Sequence, residues 1–123
     1  MNKEITLTIP VCAANTLICE RLTTSAVCSL LSADIDLSED IKVCVNEACL
    51  MLMGYKYKNI KITYTLNDNL VINVEGQGIC KVSNYDINKE FVLALINSLV
   101  DKVDYNNNNS GVLSSITLTK RIK

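Results

Sequence analysis

Two alternating runs on either side of a three-residue turn constrain this chain more than any other feature. Ile60, Ile62 and Tyr64 share one face of an extended segment, Asn67-Asp68-Asn69 turns the chain, and Leu70, Ile72 and Val74 return with the same period of two. Apolar residues at every second position can all be buried only on one side of a pleated strand, so the segment predicts a β-hairpin with one dry face. An isolated hairpin is marginal in water, and the rest of the chain must supply further strands and a covering layer.

The flanking sequence offers both. Ile5, Leu7 and Ile9 alternate with Thr6 and Thr8 in a first strand that Pro10 ends. From about Ala13 to Leu31 the period changes to helical. Leu17, Ile18, Leu22, Ser25, Ala26, Ser29 and Leu30 form one stripe, whose small residues would let another element approach closely. Asp36 and Glu39 have the spacing of a capping box, which predicts a second helix from about Leu37 to Met53 with Gly54 as its stop. Glu75-Gly76-Gln77-Gly78 breaks the second hairpin strand, and residues 81–88 read as a loop. A third helix covers about Lys89 to Leu99, with Phe91, Val92, Leu95, Ile96 and Leu99 as its buried stripe. Val103 and Tyr105 begin a strand, Asn106 to Gly111 is a solvated hairpin tip, and Ile116, Leu118 and Ile122 alternate along the last strand. The order β-α-α-β-β-α-β-β predicts one α+β domain over residues 1–123. It is a two-layer sandwich with a four- or five-stranded, mostly antiparallel or mixed sheet and three main helices on one face.

Composition removes several kinds of function. Histidine is absent, and with it the commonest general base and the His-dependent catalytic triads. Twelve basic against thirteen acidic residues leave a net charge of −1, so nothing draws the chain to nucleic acid or an anionic membrane. No run reaches the roughly 18 apolar residues that span a bilayer, and the alternating start is a strand and not a signal peptide, which makes the cytoplasm the expected location. The six cysteines (Cys12, Cys19, Cys28, Cys44, Cys49 and Cys80) contain no CxxC pair, so neither a zinc site nor a disulfide framework is expected. Most lie in apolar runs as small hydrophobes, with a redox role as the alternative.

Ile41-Lys42-Val43-Cys44-Val45-Asn46-Glu47-Ala48-Cys49 resembles the signature helix of the bacterial anti-sigma factors that double as serine kinases, members of the histidine-kinase-like ATPase superfamily. Arg21-Leu22-Thr23-Thr24-Ser25-Ala26 is similar to that family's first helix. Val74-Glu75-Gly76-Gln77-Gly78-Ile79 stands where the family has its Asp-x-Gly-x-Gly box. Residues 95–103 and 115–120 resemble its last helix and closing strands.

The resemblance implies a cytoplasmic homodimer that sequesters a sigma factor and releases it to an anti-anti-sigma protein, with Arg21 facing both partners. It makes Glu47 the counterpart of the catalytic base, and Gly76 and Gly78 the remnant of the nucleotide box. Four matching positions, in three parts of the nucleotide site, depart from the pattern. Met51 replaces the asparagine that holds Mg²⁺, and a thioether is a poor ligand for a hard cation. Val74 replaces the aspartate that accepts from the adenine amino group. Glu90 and Val92 stand where lid glycines would wrap the phosphates. The expectation is therefore a binding regulator with no cofactor and a vestigial Glu47. The alternative is an active serine kinase that uses Mg²⁺ and ATP.

Overall fold

The computed structural model describes residues 3–11, 17–81 and 89–122. The order is β1 (Lys3–Pro10), α1 (Leu17–Leu30), α2 (Ile35–Met53), β2 (Asn59–Leu66), β3 (Asn69–Gln77), α3 (Lys89–Leu99), β4 (Lys102–Asn107) and β5 (Leu113–Arg121). The strands form one sheet in the order β1-β2-β3-β5-β4, and every neighbouring pair is antiparallel.

Register carries the hairpin's dry face across the whole sheet. Ile62 lies opposite Leu7 and Val74, Val74 opposite Ile116, and Ile116 opposite Tyr105. One step along, Tyr64 joins Ile5 to Ile72, and Leu118 joins Ile72 to Val103. The central members of both rows are buried. The opposite face carries Thr6, Thr8, Lys61, Thr63, Asn73, Thr117 and Thr119, and Thr117 donates to Asn73 Oδ1 at 2.8 Å. Helix α2 closes the dry face with Ile41, Cys44, Val45, Ala48, Cys49, Met51 and Leu52, all with 1% exposure or less. Its alanine and cysteines keep the helix surface low, which lets it lie close to the large side chains of β2 and β3.

Several boundaries and faces differ from the sequence reading. The cap of α2 is Asp34, not Asp36: its backbone is extended (ψ 174°) and its Oδ1 accepts from the Leu37 N–H at 2.8 Å, so the helix begins at Ile35. Glu39 is left to pair with Lys42 at 2.8 Å. Gly54 ends the helix while still right-handed, and Lys56 (φ +60°) makes the left-handed turn. Strand β3 runs on through Glu75 and Gly76 to Gln77 without breaking. In α1 only Leu17 of the expected stripe is buried. The core side is Leu17, Glu20, Thr24, Val27 and Cys28, and Ile18, Leu22 and Leu30 are 50%, 68% and 68% exposed. Helix α3 packs mainly against α2 and the edge strand β4, so it buries a narrow seam. Ile96 is enclosed, while Phe91 and Leu95 face outward. The Lys89 ammonium lies 4.9 Å from the Tyr105 ring centre and ties the start of α3 to β4. Residues 12–16 of the first expected helix and 82–88 of the expected loop lie outside the described residues, as does Cys12.

At the 106–111 tip, Asn108 organises the turn. Its Oδ1 accepts from the N–H groups of Ser110 (2.9 Å) and Val112 (3.1 Å), and Gly111 takes a φ of +79°.

Gly76 has a packing reason of its own. A Cβ there would stand 2.3–2.6 Å from three carbons of the Tyr57 ring. The ring cannot retreat, because it is buried and its hydroxyl donates to the Leu113 carbonyl at 2.6 Å. Gly76→Ala should therefore lower stability by about 1–3 kcal/mol, as expected for overpacking in a closed core. Urea denaturation followed by circular dichroism measures the change.

Candidate functional site

The residues singled out in the sequence fall on α1, α2 and the end of β3. Glu47 is half-buried on α2, the helix that lies over β3. Met51, one turn further on, and Val74 on β3 each have no accessible surface. A side chain without surface cannot touch a ligand while the core is closed. Glu90 is exposed in the first turn of α3, and Val92 packs against the core. Gly78 adopts φ +93°, where a side chain would be strained, and a Cβ there would lie 2.9 Å from Lys58 Cβ. Arg21 is exposed on α1 and its Nε donates to Asn46 Oδ1 at 3.2 Å, which ties it to the residue before Glu47.

A polar cluster that was not expected from the sequence lies in the core. Glu20 and Thr24 on α1 and Tyr64 on β2 have no exposed surface at all. Thr24 donates to Glu20 Oε1 at 3.3 Å, and its hydroxyl lies 2.7 Å from that of Tyr64, so a bond chain runs from the strand to the carboxyl. Glu20 Oε2 has no partner among the described residues. Burial therefore lifts the Glu20 carboxyl to about 7, against the opposing pulls of the Thr24 hydrogen bond and the Arg21 charge. Burial likewise raises the Tyr64 hydroxyl and the Cys49 thiol, each further disfavoured by the Glu20 charge. Spacing held a clue to this cluster: Leu17, Glu20, Thr24, Val27 and Cys28 recur at i, i+3, i+7, i+10 and i+11, one face of a helix.

The cysteines divide by depth. Cys28, Cys44 and Cys49 are core residues, and burial raises each thiol, that of Cys44 to about 12. Such groups stay protonated and unreactive at neutral pH. Cys19 is exposed, and Cys80 donates to the Tyr55 carbonyl at 3.4 Å. Among the described residues, no three Cys, Asp or Glu side chains gather where they could hold a metal ion, and no helix is long and apolar enough to cross a membrane.

No protein-family model matches this chain, and no curated protein matches it.

Glu20 makes stability depend on pH in a defined direction. Its unfolded carboxyl titrates near 4.5 and its folded one near 7, so the folded state binds the proton more tightly. The contribution is fully present below pH ~4.5, is lost as pH rises towards ~7, and is flat above, with a span of roughly 3 kcal/mol. Glu20→Gln should remove this slope. Denaturation midpoints measured at pH 5 and pH 8 should diverge for the native chain and lie closer together for the variant.

Proposed function

We propose that this chain is an anti-sigma-factor-like regulator with the histidine-kinase-like ATPase fold, acting by protein binding through a nucleotide site that no longer works. Support comes from the element order β-α-α-β-β-α-β-β, from a sheet ordered β1-β2-β3-β5-β4, and from the Glu47-bearing helix lying over the central hairpin. These agree with the order of the four sequence segments that carry the resemblance.

The observation that carries the reading is the contrast between a sealed position and an open face. Met51 and Val74 have no accessible surface, which argues against Mg²⁺ or adenine being held there. Helix α1, by contrast, turns Ile18, Leu22 and Leu30 outward around Arg21, with the small Ala26 and Ser29 exposed between them. An exposed apolar stripe flanked by an arginine suits a protein partner better than a solvated surface does. In this reading the chain works in the cytoplasm as a homodimer. It keeps a sigma factor from RNA polymerase core and gives it up to an anti-anti-sigma protein. A second reading, an active Mg²⁺-dependent serine kinase, draws on the half-buried Glu47 and the left-handed Gly78.

Calorimetric titration with Mg²⁺-ATP separates the two. Loss of the metal ligand and of the adenine acceptor at about 1.4 kcal/mol each would weaken binding about a hundredfold, so no binding heat is expected at micromolar nucleotide. A dissociation constant in the low micromolar range would instead make Glu47 a working base.

The partner face has its own test. Arg21→Glu should weaken the complex with a sigma factor co-purified from the native cytoplasm by about 1–3 kcal/mol. Unchanged affinity in a folded variant would return Arg21 to an ordinary solvated charge.

A further inference from the structure

A hollow of about 810 Å³ opens at the end of the sheet where β1 stops, β2 starts and β3 finishes. Its wall includes Val11 and Tyr57, and Ile79 stands at the rim with 84% of its surface exposed. Lys56, Lys58 and Lys81 line the same hollow, all three exposed. Among the described residues, none of the three has a carboxylate within ion-pair distance. Three ammonium groups with no ion-pair partner among the described residues thus line one apolar depression.

The backbone holds this arrangement firmly. The Val11 N–H donates to the Lys58 carbonyl and the Lys58 N–H to the Gln77 carbonyl, both at 3.0 Å, while the Lys81 N–H donates to the Tyr55 carbonyl at 3.2 Å. Two left-handed residues shape it: Lys56 at φ +60°, which is uncommon for a residue with a side chain, and Gly78 at φ +93°. Gly78 also brings its strand end so close to Lys58 that a Cβ would collide with it at 2.9 Å. Strained backbone of this kind persists where the surrounding structure holds it in place.

We infer that the hollow binds a small amphiphilic anion, an apolar body bearing a carboxylate or phosphate head. The size is that of a small-molecule site, and an apolar lining with a few charged groups matches the usual composition of such sites. The apolar body would cover Ile79, Val11 and the edge of Tyr57. The head would sit among the lysines, whose ammonium groups act as point charges on flexible stems and need no fixed geometry. A membrane surface fits less well, because interfacial binding buries a broad apolar helix face among the headgroups, and most of the apolar wall here is recessed. Nucleic acid fits less well still: the aromatic ring in the wall is buried and cannot stack on a base.

The test is an amide-resonance titration of the ¹⁵N-labelled full chain with sodium octanoate at pH 7. Saturable shifts should appear at the amides of Lys58, Gly78 and Ile79. Octyl glucoside, with the same apolar chain and no charge, should bind at least about tenfold more weakly, as expected when a charge-assisted contact is lost. The double variant Lys58→Ala/Lys81→Ala should weaken octanoate by a similar factor. Both positions are exposed, and Lys81→Glu serves as a second variant if the double one is unfolded. Absence of shifts at those amides in millimolar octanoate overturns the inference, as does equal binding of the glucoside or unchanged affinity in the variants. Co-sedimentation with phosphatidylglycerol vesicles while octanoate is silent overturns it in favour of a lipid surface. Mg²⁺-ATP shifting the same amides more tightly than octanoate overturns it too and also undoes the reading of a dead nucleotide site. Failure with octanoate alone leaves that reading standing.

Discussion

The contact between α2 and the dry face of the central hairpin organises the rest of the molecule. Strands β2 and β3 present Ile60, Ile62, Tyr64, Leu70, Ile72 and Val74 to one side, and α2 meets them with a row that includes Ala48 and three thiol or thioether side chains. Large residues on the sheet meet a helix face that mixes Ala48 and the cysteines with Ile41, Met51 and Leu52, and burial of this area is the main favourable term of the fold. The other elements extend or flank that contact. Strands β1 and β5 continue the rows outward, α1 packs beside α2, and α3 fills the remaining seam above β4. The same contact bears on the proposed function, because it places Met51 and Val74 inside the layer that must stay dry.

How far the fold could be read in advance follows from how each element is buried. The hairpin and the last strand were legible because a strand with one wet side writes its geometry as strict alternation. Helix α2 was legible because its apolar stripe is broad and central. Helix α1 was harder, since apolar residues lie on both of its sides. Leu17, Val27 and Cys28 face the core, whereas Ile18, Leu22 and Leu30 face out. What decides between them is Tyr64, forty residues downstream, whose hydroxyl draws Thr24 inward and Glu20 with it. A window moved along the sequence cannot contain that partner. In α3 the stripe was recognised but its width was not. An edge position buries a seam and leaves Phe91 and Leu95 outside, and no local feature of residues 89–99 announces an edge.

The candidate site was legible in part. That Met51 and Val74 differ from the pattern the chain resembles is visible in the letters alone, and the structure adds that both positions lie in the core. Gly76 illustrates the opposite case. A glycine in a Gly-x-Gly pattern invites a ligand-binding interpretation, yet here its missing side chain makes room for the Tyr57 ring. Gly78, two residues on, is needed for a different reason, its left-handed backbone. The lysine-rimmed hollow was not legible at all. Its cations come from two stretches of chain more than twenty residues apart, and neither stretch is basic enough to stand out.

The sheet has two open margins, and they differ from the apolar flank of α1. Among the described residues, strand β1 pairs only with β2, and β4 only with β5, so each leaves a row of backbone donors and acceptors without a neighbour there. Such a row is a template on which another strand can grow. Both rows carry deterrents. The first begins with Lys3 and Glu4 and ends in Pro10, which has no N–H to offer; the second carries Lys102 and Asp104 and slips register at Asn106/Asn107. Strand-to-strand growth into a continuous ribbon is therefore discouraged at both ends.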